Sequence, residues 1–202
     1  MLTVLTFYNL RKENFLKAGI FSLLASLTRF MGVALVLAII TEIYFSKARG
    51  KQLGLLGVLG IFLYGGFLYF RVGDPLYFLV AQENWHRNLV FPLTTVFNEW
   101  KLVFSKPETL INILTLIFGV GMLFQVFKRL RHSYFVYALI SIVIPMFSST
   151  LLSFPRFLLP IFPIFIALGT LKNKNVLLMY QFLAILFLGI FISFFINGYW
   201  VS

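Results

Sequence analysis

The sequence predicts an all-α protein, a polytopic bundle of transmembrane helices with a helical loop outside the cytoplasm. Composition gives the first reason: 60% of the 202 residues are hydrophobic and only 11% are charged, whereas about a quarter of an ordinary globular domain is charged. The second reason is that the apolar residues form runs of membrane-spanning length. The third is that the 17 basic and 6 acidic residues lie in short islands between these runs. We therefore treat 1–202 as a single, multi-pass membrane domain, in the plasma membrane of a bacterium or the endoplasmic reticulum of a eukaryote.

Long uncharged stretches define the predicted spans, because a helix needs about 20 apolar residues to cross a bilayer core about 30 Å thick. Four stretches meet or approach this length: 53–70, 109–127, 133–155 and 175–202. In the third we expect a kink at Pro145, which lipid-embedded helices tolerate. A fifth apolar stretch, 157–171, is shorter and contains two prolines.

The N-terminal third contains two short apolar runs, 18–28 and 30–41, on either side of Arg29. One straight helix would place the charge of Arg29 near mid-bilayer, at a cost of several kcal/mol. A helical hairpin would instead place Arg29 at its tip. The hairpin puts eleven basic residues on one side and five plus Arg29 on the other, whereas the straight helix gives eight against eight. The positive-inside rule favours the uneven distribution, so we predict the hairpin.

This topology places the long polar loop, 71–108, outside the cytoplasm. Asp74 followed by Pro75 predicts a helix N-cap and first helical residue, with the helix extending to about Arg87. A second helix is predicted after Pro92, because apolar residues recur there at helical spacing: Leu93, Val96, Phe97, Trp100 and Phe104. It suits a helix lying in the membrane interface, and a loop helix packed on the bundle is the alternative.

Composition also excludes several functions. The absence of cysteine rules out disulfide scaffolds, thiol catalysis and thiolate metal sites. Two histidines are too few for a histidine-rich zinc site, so we assign no metal ligands and no cofactor, and no motif supports a divalent metal. A nucleic-acid partner is not expected, because such proteins cluster basic residues on one polar face.

Three segments on the outer side hold the candidate binding residues. In the first, Arg29 at the hairpin tip would meet helix ends that expose backbone N–H groups, which favours an anion such as phosphate. In the third, Arg156 lies beside a helix start marked by Ser153 and Pro155, where the helix dipole also favours an anion. For both arginines the alternative is a side chain that reaches to lipid headgroups.

The second segment, 73–87, offers a different chemistry. Gln82, Trp85 and Arg87 provide an amide, an aromatic platform and a cation, a set that suits a sugar. Trp85 also fits the aromatic belt of the membrane interface. Asp74 could serve as a base or metal ligand, although an N-cap role already accounts for it.

Together and in this order, these segments resemble the PIG-V-like mannosyltransferases, integral-membrane glycosyltransferases of the GT-C type. The matching residues are Ala18-Gly19, Ala25-Ser26-Leu27-Thr28-Arg29 with Gly32, then Gly73-Asp74-Pro75, Ala81-Gln82, Trp85 and Arg87, and finally Phe154-Pro155-Arg156-Phe157 and Phe162-Pro163. The trio extends over about residues 1–171. Phe157 departs from the tyrosine that commonly follows the Pro-Arg pair in the family.

The resemblance implies an inverting transferase that takes a sugar, usually mannose, from a polyprenyl- or dolichyl-phosphate donor on the extracytoplasmic side. Arg29 and Arg156 would then bind the donor phosphate. The segment from Asp74 to Arg87 would help form the acceptor or sugar pocket. Membrane lipid and the donor are the implied partners.

One family feature has no counterpart in this sequence. Enzymes of this type keep a catalytic carboxylate in their first outer loop, whereas here the acidic residues before Asp74 are Glu13 and Glu42, both assigned to the cytoplasmic side. We therefore expect the C-terminal part of such an enzyme, inactive alone, with its catalytic carboxylate upstream of Met1 and an N-terminal companion chain as a further partner. The alternative is a non-enzymatic polytopic membrane protein, such as a lipid-linked-glycan carrier or an assembly subunit.

Overall fold

The computed structural model describes residues 1–28, 32–47, 50–84 and 87–198. This part of the chain is all-helical, and no strand is assigned within it. The α-helices in these ranges are α1 (Leu2–Arg11), α2 (Phe15–Thr28), α3 (Gly32–Phe45), α4 (Leu56–Val72), α5 (Tyr77–Glu83), α6 (Pro92–Leu102), α7 (Pro107–Arg129), α8 (His132–Met146), α9 (Phe154–Leu158), α10 (Phe162–Gly169) and α11 (Lys174–Ile196). A 3-10 turn, Lys51–Leu55, leads directly into α4.

Three of the described helical segments are long and apolar enough to cross a bilayer. They are Lys51–Val72, Glu108–Arg129 and Lys174–Ile196, with mean hydropathies of 2.0, 2.2 and 2.4. These segments coincide with three of the predicted spans. The shorter apolar helices α2, α3 and α8 have 14, 14 and 15 residues.

Helices α2 and α3 run antiparallel, as the hairpin prediction requires. A Cβ placed on Gly32, the first residue of α3, would lie 2.4 Å from Cα of Ser26 in the last turns of α2. At the other end of the pair, a Cβ on Gly54 would lie 3.6 Å from Phe15 at the start of α2 and 3.4 Å from Ile43 near the end of α3. The tip residue Arg29 lies outside the described residues.

Small residues allow α2 and α4 to approach closely. A Cβ on Gly57 would lie 2.1 Å from Oγ of Ser22, and one on Gly60 would lie 2.7 Å from the carbonyl oxygen of Leu23. In lipid no hydrophobic force drives helices together, so helices associate through the close packing that such small residues allow. This contact joins the hairpin to the first long apolar helix.

Charged turns that are distant in sequence gather at one end of the bundle, which we call the basic end. Arg11 at the end of α1 and Arg131 before α8 both contact Glu42 of α3. A straight helix over 18–41 would separate Arg11 from Arg131 on opposite sides, so this cluster agrees with the hairpin. The opposite end, formed by 71–108 and 147–160, we call the loop end.

The predicted span over 133–155 is wrong in its length. Helix α8 ends at Met146, where the N–H of Phe147 bonds to the carbonyl of Ile144 and the N–H of Ser148 bonds to that of Pro145. These tight turns end the helix immediately after Pro145, where the sequence predicts a kink within a longer helix. The stretch 157–171 is likewise divided, into the end of α9 and α10, around Pro160.

Candidate functional site

The loop end is built from two segments that are joined by hydrogen bonds. The N–H of Val90 donates to the carbonyl of Phe147 at 2.9 Å, and the N–H of Asn88 donates to Oγ of Ser149 at 3.2 Å. Nη2 of Arg87 donates to the carbonyl of Leu152 at 2.8 Å. The segment after α5 is therefore held against the loop that follows α8.

Helix α6 fixes the same loop from its other side. Oε1 of the buried Glu99 accepts hydrogen bonds from Oγ1 of Thr150 at 2.8 Å and from the N–H of Leu151 at 2.9 Å. Oγ1 of the buried Thr95 donates to the carbonyl of Ser148 at 2.5 Å. The polar face of α6 thus points inward, and most of its apolar stripe is exposed, as an interfacial helix requires: Leu93, Phe97, Trp100 and Phe104.

A cavity of about 890 Å³ lies between α5 and the loop after α8. Its polar wall consists of Gln82, Glu83, Arg87, Asn88 and Ser148, and its apolar wall includes Phe147 and Phe157. Cavities of this size, mostly apolar with a few convergent polar groups, are typical of small-molecule sites. We call it the loop-end cavity.

A second cavity, of about 250 Å³, adjoins the hairpin. Thr28 and Gly32 line it on one side, and Ser141 and Phe157 line it on another. Phe157 therefore belongs to the walls of both cavities. The segment around 153–157 thus contributes to both cavities, whereas the described parts of the segment around 28–32 line the smaller cavity and those of 73–87 line the larger one.

Two guanidinium groups, those of Arg87 and Arg156, lie near each other at the loop-end cavity, whose wall also carries the carboxylate of Glu83. Burial lowers the pKa of Arg87 from its ordinary value, and repulsion from the nearby charge of Arg156 lowers it further. The guanidinium of Arg87 also lies over the ring of Phe157, with Cζ 5.5 Å from the ring centroid. Two guanidinium groups that repel each other are both stabilised when an anion lies between them, and guanidinium matches phosphate oxygens in a bidentate geometry.

The expected role of Asp74 as a helix N-cap is wrong. Its Oδ1 accepts the N–H of Leu76 at 2.8 Å, which forms a local turn, and α5 begins only at Tyr77. The helix also ends at Glu83, short of the predicted end near Arg87. An Asp side chain competes for nearby backbone N–H groups, so it stabilises a turn here in place of a helix start.

The start of α9 does not offer the free backbone N–H groups that the sequence pattern predicted there. The N–H of Phe154 donates to the carbonyl of Leu151 at 2.9 Å and to Oδ1 of Asn112 at 3.3 Å. The N–H of Arg156 donates to the carbonyl of Ser153 at 3.1 Å, and Pro155 has no N–H. Because these donors are used internally, they are not free to bind a phosphate, and the exposed side chain of Arg156 remains as the contribution of this segment.

The predicted binding residues therefore divide into three groups. Gln82 and Arg87 line the loop-end cavity, and Arg156 lies close enough to act on the charge of Arg87. Asp74 is not among the described residues of the cavity wall. Arg29 and Trp85 lie outside the residues that the structure describes.

Sequence reasoning missed several residues of the loop end. Glu83 and Asn88 line the cavity beside the predicted residues, and Glu99 holds the loop after α8 in place through the N–H of Leu151. Thr95 and Glu99 are four residues apart, so their polar stripe on α6 was a signal that could have been found. Within the described residues, no group of three His, Cys, Asp or Glu side chains is placed to hold a metal ion.

These features define an all-helical protein whose described part contains three helices of membrane-spanning length and a polar cavity at one end. No family model, curated protein or solved structure matches the chain. The ligand of the cavity is therefore argued from the residues of the chain itself.

Proposed function

We propose that the protein is a multi-pass membrane glycosyltransferase that takes a sugar, with mannose expected, from a polyprenyl- or dolichyl-phosphate donor at its loop end. The observation that carries this proposal is the position of Phe157 in the walls of both cavities. Through Phe157, the third of the segments whose order resembles the PIG-V-like mannosyltransferases adjoins the cavities lined by the other two, which supports the proposal. The cations, amides and carboxylate at the loop-end cavity suit a sugar that is linked to a phosphate, because cations bind phosphate and amides bind sugar hydroxyls.

The donor phosphate is assigned to the arginines. Arg87 lines the cavity and Arg156 lies nearby, so their charges would stabilise the phosphate as it leaves the sugar. The lipid chain of the donor would extend from the cavity between apolar helices into the bilayer. This arrangement explains why basic groups and a large apolar wall occur in the same site.

The sugar and the reaction are assigned to the remaining polar wall. The amides of Gln82 and Asn88 would hydrogen-bond to sugar hydroxyls. In the transfer step the acceptor oxygen forms a bond to C1 of the sugar, and the bond from C1 to the phosphate oxygen breaks. The acceptor proton passes to a carboxylate, because general base catalysis requires a group within hydrogen-bond reach of the reacting hydroxyl. The family resemblance implies a carboxylate upstream of Met1, whereas we propose Glu83 for the role, since it lines the cavity itself.

The membrane placement follows from the charges of the two ends. The basic end would face the cytoplasm under the positive-inside rule, and the loop end would face outward. The three long helices would span the bilayer, and α2 and α3 would enter it as a re-entrant hairpin because each is too short to cross alone. Helix α6 would lie in the outer interface through its exposed apolar stripe.

Donor binding by the purified protein in nanodiscs tests the phosphate assignment. We expect Arg87→Gln and Arg156→Gln each to weaken binding of polyprenyl-phosphate mannose by about tenfold, because a hydrogen bond to a charged group contributes about 1.5–3 kcal/mol. Arg71→Gln is the matched control, since Arg71 is an exposed residue at the end of α4 and is not in the described cavity wall. Equal loss in all three variants would contradict a specific phosphate site.

The transfer step needs its own measurement. We expect Glu83→Gln to bind the donor normally and to abolish the release of polyprenyl phosphate that accompanies transfer of the sugar to an added acceptor or to water. Donor binding without any such release by the unmodified protein would overturn the enzymatic part of the proposal and favour a carrier. Absence of donor binding would overturn the whole proposal.

A further inference from the structure

The basic end contains a polar cluster that the proposed function does not use. At its centre is Glu42, whose Oε2 accepts hydrogen bonds from Nη2 of Arg11 at 2.7 Å and from Oγ of Ser133 at 2.6 Å. Its Oε1 lies 3.3 Å from Nη1 of Arg131. One carboxylate therefore holds two guanidinium groups, from α1 and from the turn before α8.

This cluster leaves Arg11 with unused hydrogen-bond donors. Nε and Nη1 of Arg11 are buried, and no described residue accepts a hydrogen bond from either atom. The guanidinium lies over the ring of Tyr134, with Cζ 4.9 Å from the centroid. This contact involves the face of the guanidinium, so it gives no hydrogen-bond acceptor to the N–H groups at its edge. Unused donors on a buried cation are costly, because they have lost their water without gaining a partner.

A cavity of about 360 Å³ lies directly beside the cluster. The charged residues of its wall are Arg11, Glu13, Glu42, Lys47 and Arg131. Three cations in this wall face two carboxylates, Glu13 and Glu42, and Glu42 already holds two guanidinium groups, so the positive charge is only partly compensated. Lys47 and Arg131 are exposed, so a ligand can reach them from the solvent or from the membrane surface.

We propose that this basic-end cavity binds a phosphate group, either as the headgroup of an anionic lipid or as a free phosphate. Arg11 and Arg131 present guanidinium N–H groups, which match phosphate oxygens, and Lys47 adds a point charge. Basic pockets between helices at a membrane surface bind phosphate headgroups in this way. The inference uses only the basic end, so it does not depend on the proposed function of the loop end.

The test removes the two exposed cations and leaves the Arg11–Glu42 pair in place. The cavity variant is Lys47→Gln combined with Arg131→Gln. The matched control is Lys17→Gln combined with Lys172→Gln, which removes the same charge from exposed lysines that are not in the described cavity wall. Arg129, the last residue of α7, donates to the carbonyl of Thr170, so Lys172 lies near the same end.

Two measurements on the full chain distinguish the source of the phosphate. In nanodiscs of mixed phosphatidylglycerol and phosphatidylcholine, native mass spectrometry reports which lipid stays bound. We expect the cavity variant to lose about twentyfold in phosphatidylglycerol retention and the control to lose little, because each basic residue near an anionic headgroup contributes about fivefold. In detergent without lipid, the thermal midpoint with inorganic phosphate reports on free phosphate.

Each outcome decides the proposal. Selective loss of phosphatidylglycerol from the cavity variant supports a lipid headgroup, and a phosphate-dependent rise in midpoint that only the cavity variant lacks supports free phosphate. Equal losses in both double variants mean that surface charge alone attracts the lipid, which overturns the proposal. No dependence in either measurement also overturns it, and Lys47→Gln alone replaces the double variant if that variant does not fold.

Discussion

Two carboxylates, Asp74 and Glu99, differ in whether their hydrogen-bond partners are near in sequence or are brought close by the fold. Asp74 bonds two residues along, to the N–H of Leu76, so a local role was predictable although the helix start was misplaced. Glu99 bonds to Thr150 and Leu151, about fifty residues away. The four-residue spacing of Thr95 and Glu99 indicates a shared polar face on α6, but helical periodicity gives no information on the distant residues that this face contacts.

The charge cluster of the basic end leads to a prediction on stability at the scale of one residue. We expect Glu42→Gln to lower the free energy of unfolding by about 2 kcal/mol, because it removes the counter-charge of the half-buried Arg11. Thermal unfolding of the purified protein in detergent measures this effect.

Glu13→Gln is the control for that measurement. Glu13 lines the same cavity, but it is exposed and makes no salt bridge within the described part of the chain. The substitution should leave the unfolding midpoint unchanged. Equal destabilisation by both substitutions would show that net charge, and not the pairing at Glu42, holds this end together.

At the scale of the element, run length predicted the long helices and failed for the interrupted ones. Helices α4, α7 and α11 follow from apolar runs between charges, since length and hydropathy alone set them. Helix α8 stops after Pro145 because the chain beyond it bonds to 88–90 and to α6, and those partners are visible only in three dimensions.

The contact between α2 and α4 gives a prediction at this scale. We expect Gly60→Ala to lower the free energy of unfolding by about 1–3 kcal/mol, because its Cβ would lie 2.7 Å from the backbone oxygen of Leu23 and the helices would have to separate. The unfolding midpoint in detergent checks this value.

Gly66→Ala in the same helix is the matched control. Apart from its chain neighbours and the adjacent backbone of α4 itself, no described atom lies within 4 Å of a Cβ at Gly66. Alanine also favours a helix by about 1 kcal/mol over glycine, so this variant should be as stable as the parent or more so. A loss at Gly66 as large as that at Gly60 would contradict close packing of α2 on α4.

For the whole molecule, the grouping of charged turns was predicted from the sequence and agrees with the structure. The hairpin placed Arg11 on the side of Arg131, and both contact Glu42. The two cavities that meet at Phe157 could not be predicted, because motif order shows which segments matter and not how far apart they fold.

Chemical labelling from one side of the membrane tests the overall topology. The chain has no cysteine, so single cysteines can be placed without background. We expect Lys17→Cys and Lys172→Cys to react with a membrane-impermeant maleimide from the cytoplasmic side, and Lys106→Cys at the loop end to react from the opposite side. Reaction of Lys17 and Lys106 from the same side would refute the hairpin topology.

Helix α11 differs from α4 and α7, the other two helices of membrane-spanning length, because none of its described residues is buried. Tyr180 of α11 stacks on Phe118 of α7. Apart from this contact, the surroundings of the helix, and not packing within the bundle, must decide its composition. Exchange of leucine, isoleucine and phenylalanine along the helix should be almost free of consequence, whereas a single lysine at its middle should not be. In natural variants of this protein, apolar residues on every side of α11 should accordingly be replaced by other apolar residues, while the mean hydropathy of the helix stays constant.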